Sequence, residues 1–152
     1  MGPALSLHVL FAVIWVGGMF FAYFFLRPAI CDFDAKTRTT LWAQVLPRFF
    51  VAVLGAIPVL LATGFYMIFG VMGGMEGAGL HVHIMLALGI LMMLLALHVY
   101  FAPLRRLRKS VAVGDTDSAL KAVRQIRLFV LVNLTLGVIV VLVASGGRYI
   151  IG

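Results

Sequence analysis

Charge is scarce in this chain, and negative charge most of all. Asp32, Asp34, Glu76, Asp115 and Asp117 are its only five acidic residues, against 12 Lys and Arg in 152 residues. None of the five lies inside a long apolar run. The chain therefore has no intramembrane carboxylate pair with which to couple protons to a transported solute. Cys31 is the single cysteine, which excludes an internal disulfide and reads as an inert filler. No Gly-rich phosphate loop ending in Lys and no nucleophile triad is present, so a conventional hydrolase has nothing to work with. Also missing are the alternating segments of about 10 residues that build a membrane barrel.

What is present is long apolar sequence. Leu5 to Leu26, Phe49 to Met75, Gly77 to Leu104 and Leu128 to Gly147 contain no Asp, Glu, Lys or Arg. Each reaches the roughly 20 residues that cross a bilayer as helix. Overall 64% of residues are hydrophobic and 11% charged, where a soluble domain carries about 25% charged residues. Backbone groups in lipid must be satisfied internally, which leaves helix as the solution. The expectation is an all-α integral membrane four-helix bundle. It forms one domain over 1–152, with helices at about 4–26, 47–72, 80–102 and 119–145. The first run has no positive n-region and no small-residue cleavage site, so it reads as a retained span rather than a leader.

Local signals place the boundaries. Pro28 ends the first helix and Pro103 the third, because proline disfavours helix in the residue before it. Pro58 is expected to kink the second. Residues 32–45 form a polar connection, partly helical. Asp115-Thr116-Asp117-Ser118 offers N-cap chemistry for a fourth helix running unbroken to about Ser145. Eleven of the 12 Lys and Arg flank the first and third connections, and only Arg148 lies opposite. The positive-inside rule puts that basic side in the cytoplasm, with both termini and the Gly-rich loop at 70–79 on the outer side. Such a rim suits anionic lipid headgroups rather than nucleic acid.

The histidines carry the functional signal, since an intramembrane histidine is costly and marks function by default. His8 shares a helix face with Ala12, Trp15, Met19 and Ala22, so it is expected to point inward. His81 and His83 are about 200° apart around their helix. An inward stripe of His83, Ala87, Ile90, Leu94 and His98 would favour His83 as the partner of His8, with His81 the first alternative. His8 and His83 lie at similar depth from the outer side. On the second helix Ala52, Ala56, Val59, Thr63 and Tyr66 share a face; on the fourth, Asn133, Gly137, Val140 and Ala144 do. Thr63 and Asn133 are natural interhelical hydrogen-bond formers, and a His98–Asn133 contact is expected.

Imidazole ligates copper, iron and zinc, and thioether suits Cu(I). Met72, Met75, His81, His83 and Met85 therefore make a copper-collecting loop, with His8 and His83 as a metal pair and His98 as a second station. The same His8 and His83 would serve as axial ligands of one haem b, making the chain an electron-transfer protein or a haem-dependent membrane oxidoreductase. A third reading is a non-catalytic membrane subunit whose histidines only pack.

The run Leu7-His8-Val9-Leu10-Phe11-Ala12-Val13-Ile14-Trp15-Val16-Gly17-Gly18-Met19-Phe20-Phe21, closing with Leu26-Arg27-Pro28-Ala29, resembles the first helix of the copper-resistance protein D family. The segment His98-Val99-Tyr100-Phe101-Ala102-Pro103-Leu104-Arg105-Arg106 and the tail Ala144-Ser145-Gly146-Gly147-Arg148-Tyr149 are similar to small four-helix members of that group. The resemblance implies a bacterial inner-membrane protein of copper uptake or homeostasis. It carries metal binding onto His8 first, then His83 and His98. It also implies a periplasmic copper-binding or redox partner, and self-association is open. The same superfamily resembles four-helix haem b cytochromes and the membrane-bound protoporphyrinogen oxidase. The two-haem cytochromes use four histidines at two depths, and the oxidase an intramembrane lysine. Here the inner depth has only His98, and Lys36, Lys109 and Lys121 all lie in the basic connections.

Overall fold

The computed structural model describes residues 2–150, with side chains through Gly147. The described residues are all-helical, as the apolar runs require. The first span is α1 (Gly2–Phe21), continued by a π-helical turn (Ala22–Leu26) and the short α2 (Arg27–Ala29). Then come α3 (Ala35–Gly70), α4 (Leu80–Phe101), α5 (Pro103–Ala112) and α6 (Thr116–Ile150). Four of these stretches are long and apolar enough to cross a membrane: Gly2–Ala29, Ala35–Gly70, Leu80–Ala112 and Thr116–Gly147. Their outer surface is apolar, with Val13, Val51 and Leu142 each more than 60% exposed. Water would penalise that surface and lipid would not.

The helices form two hairpins. α1 lies chiefly against α3, and α4 chiefly against α6; α3 and α6 touch across the middle. Among the described residues no Cα of α1 comes within 8 Å of one in α4, so the two helices occupy opposite corners. One end of the bundle holds the start of α1, the 71–79 loop and the end of α6, and will be called the loop end. The other holds eleven Lys and Arg and will be called the basic end. The side chain of Arg148, the one cation expected opposite that rim, lies outside the described residues.

The buried stripe of α3 is Leu46, Phe50, Val53, Ala56, Leu60, Thr63 and Met67, at spacings of three and four. It meets Trp15 and Met19 of α1, Met92, Ala96 and Val99 of α4, and Ile126 and Leu134 of α6. Such spacing is the signature of helices packed along one seam. The face expected from small residues is half right: Ala56 and Thr63 are buried, whereas Ala52 and Tyr66 are exposed.

Two connections are more ordered than composition suggests. α3 begins at Ala35, capped by Asp34, whose carboxylate accepts from the Thr37 N–H at 3.0 Å. It continues helical through both Pro47 and Pro58. Pro103 does end α4, but it also occupies the first turn of α5, where its missing N–H costs nothing. α5 is amphipathic: Leu104 and Leu107 are buried, and Arg105, Arg106, Arg108 and Lys109 are exposed. α6 starts as expected, with the Ser118 N–H donating to Asp115 at 3.0 Å.

Candidate metal centre

His8 is half-buried on the α1 face that also carries Trp15 and Met19, as its spacing predicts. Its Nδ1 lies 2.8 Å from Thr63 Oγ1 on α3. The Thr63 hydroxyl has one proton, and it donates that proton to the Val59 carbonyl at 2.6 Å. Thr63 must therefore accept from His8. This fixes the His8 tautomer with the proton on Nδ1 and a bare lone pair on Nε2. A metal-ligating histidine is oriented in the same way, by donating its other ring N–H to a fixed acceptor.

The same logic applies to His83. Its Nδ1 is 3.2 Å from the Gly79 carbonyl, which can only accept, so Nε2 is again bare. His83 is half-buried. The inward stripe predicted through it is not the one α4 uses. Ala87, Ile90, Leu94 and His98 are exposed, and the buried positions are Met92, Ala96 and Val99. Continued toward the loop end, that buried stripe arrives at His81, which lies within about 20° of Met92 and Val99 around the helix.

His81 faces α6 at a close approach. A Cβ on Gly147 would sit 2.9 Å from the His81 Cβ, so only glycine fits there without a shift. The His81 Nδ1 is buried and has no hydrogen-bond partner. An orphaned buried ring nitrogen is costly and is the kind of group a cation satisfies. Of the thioethers, Met72 is half-buried and Met75 exposed on the loop, which turns through positive φ at Gly73 and Gly74.

His98 stands apart. It is exposed, and its ring packs on Phe129 of α6 with centroids 5.0 Å apart. The expected bond to Asn133 is not made: Asn133 is buried and its Oδ1 has no partner. The physical reason is that lipid accepts apolar and aromatic faces as readily as a core does. An inward position for His98 was therefore not forced.

The structure thus joins His8 to Thr63 across α1 and α3, and places His81 and His83 at the head of α4 beside the methionine loop. It does not bring the backbone of His8 near that of His81 or His83, because their helices sit at opposite corners. Among the described residues no group of three or more His, Cys, Asp and Glu converges. The feature that sequence reasoning missed is the His8–Thr63 pair. Its signal was depth: His8 is six residues from the start of α1, and Thr63 seven from the end of the antiparallel α3.

Outside the membrane-spanning segments, two carboxylates are tuned by caps. Asp34 is held below the usual carboxylate range, first by the Thr37 hydroxyl and then by the Thr37 N–H. Asp115 is held down in the same way by Ser118.

Four apolar helices with a histidine-bearing end define a multi-pass membrane protein. The family model for copper resistance protein D matches residues 43–146, and the chain belongs to that family. The match takes in Thr63, Met72, Met75, His81, His83 and His98, and leaves α1 with His8 outside it. No curated protein and no solved structure matches the chain.

Proposed function

We infer that this chain is a bacterial inner-membrane protein that takes up or buffers copper at its loop end, with the basic end in the cytoplasm. Copper is cargo here, not a resident cofactor. The observation that carries the reading is the relay from His8 to Thr63 to Val59, which holds the His8 Nε2 bare and oriented. The buried, partnerless His81 Nδ1 and the bare Nε2 of His83 support it. Met72 and Met75 supply thioethers suited to Cu(I) at the mouth. Family membership supplies the choice of metal. His98, on the far side of the bundle's length, takes no part in this site.

The basic end suits the cytoplasm because Lys and Arg are retained on that side. A periplasmic copper-binding protein is the partner of matching chemistry for the loop end.

The test uses the full chain in detergent, without air, titrated with Cu(I) against a chromophoric chelator. Copper binding is expected, with affinity falling by at least roughly 10–100-fold in His8→Ala, since losing a ligand costs no less than losing the group that orients it. An affinity equal to that of His8→Ala would overturn the reading. So would a purified protein showing a Soret band with sharp reduced α and β bands, which would assign the histidines to haem b.

A further inference from the structure

One cavity among the described residues lies away from the histidines. It lies at the basic end, about 300 Å³ in volume, between the π-helical turn, the start of α3 and the first half of α6. Tyr23, Arg27, Arg38, Trp42, Arg124 and Arg127 line it, and no lining residue is acidic. Of these arginines Arg38 is half-buried and the other three are exposed, so positive charge gathers at the cavity with no acidic lining residue to offset it.

Their arrangement is built rather than incidental. The π-helical turn inserts an extra residue into the first span at Ala22–Leu26, and such turns recur at functional sites. Arg27 is held over the Tyr23 ring, 5.3 Å from its centroid. Arg38 Nη1 donates to the Cys31 carbonyl at 3.3 Å, which anchors the guanidinium. Arg38 Nε is left buried with no partner. A charged donor in that state is expensive, and a phosphate oxygen is the acceptor that guanidinium geometry fits best. The nearby acidic residues are committed or outside: Asp34 caps α3, and Asp32 is exposed.

Below the arginines the wall becomes apolar, with Leu46, Ile126 and Val130. A free phosphate would leave that wall unused. A phospholipid would place its phosphate among the arginines and its acyl carbons along the wall, with Tyr23 and Trp42 at the interfacial depth such rings prefer. We propose that this cavity is a specific site for one anionic phospholipid headgroup, held by Arg38, Arg124, Arg127 and Arg27. Basic pockets between helices at the cytoplasmic face are suited to this recognition. The site is separate from the histidines and independent of copper.

The experiment is native mass spectrometry of the delipidated full chain, titrated with phosphatidylglycerol or phosphatidylcholine, with inorganic phosphate as a third arm. Phosphatidylglycerol is expected to bind one to a chain and phosphatidylcholine to bind more weakly. Arg38→Gln should weaken phosphatidylglycerol roughly tenfold, the scale of a lost charge-assisted hydrogen bond. Arg124 and Arg127 are exposed, so the double variant Arg124→Gln, Arg127→Gln keeps the core intact and should weaken binding at least as much. The control is Arg106→Gln with Lys109→Gln on the outer face of α5, expected to leave binding within about twofold. Equal loss in that control would overturn the proposal in favour of a general basic surface. Equal binding of both lipids, or displacement of lipid by millimolar inorganic phosphate, would also overturn it.

Discussion

His8 on α1 and Thr63 on α3 are joined by a 2.8 Å hydrogen bond in which the hydroxyl can only accept, because its own proton is held by Val59. Thr63→Val removes the acceptor but keeps the shape. Cu(I) affinity is expected to fall about 10–100-fold with the ligand histidine still present. Thr63→Ser should restore most of it. Stability should also drop by about 1–3 kcal/mol, since the His8 N–H is left unsatisfied. Unchanged copper affinity in Thr63→Val would sink the tautomer argument.

The two histidines at the head of α4 should separate by function. His81 lies on the buried stripe with an idle Nδ1, whereas His83 spends its Nδ1 on Gly79. His81→Ala is expected to lower Cu(I) affinity more than His83→Ala, and His98→Ala to leave it unchanged. The same chelator titration ranks the three variants, and the reverse order would remove His81 from the site.

Gly147 sets how closely α6 approaches His81. Gly147→Ala forces a shift of the His81 Cβ, which belongs to the stiff root of the side chain. Overpacking of this kind costs about 1–3 kcal/mol. A lower thermal midpoint and weaker copper binding are expected together. An unchanged midpoint would show that the helices part without cost.

Asn133 is buried with an unpartnered Oδ1 against the core around Trp15 and Phe50. Asn133→Leu replaces an idle polar group with one of similar size. Thermal stability is expected to hold or rise. A marked fall would mean that Asn133 serves a partner.

The α6 cap should be pH-dependent. Ser118 depresses the Asp115 pKa, so the stabilisation is present above the ordinary carboxylate pKa and is lost as pH falls through the depressed folded value. Asp115→Ala should lower the thermal midpoint at neutral pH. The gap to the parent should close in acid. A gap that persists at low pH would show that the carboxylate charge is not what caps the helix.

The spans were legible because charge-free length alone specifies a membrane helix. The faces were less so, and the reason is the solvent. In water Leu94 and Ile90 would have to be buried, and their spacing would report the core. In lipid they are exposed at no cost, so the stripe drawn through His83 to His98 had no energetic anchor. His8 was placed correctly because Trp15 and Met19 share its face and are buried beside α3. α5 was hidden for a different reason. Pro103 was legible as a stop, but Leu104, Leu107 and Val111 also mark a helix face, and polar composition masked it. Arg38 and its cavity depend on a π-helical turn that no residue spacing announces.

The diagonal placement of α1 and α4 bears on how the chain is made. Each closes mainly on its own neighbour, α1 on α3 and α4 on α6. The first pair is complete once residue 70 has been synthesised. Membrane insertion can thus proceed in two halves, and the His8–Thr63 bond belongs wholly to the first of them.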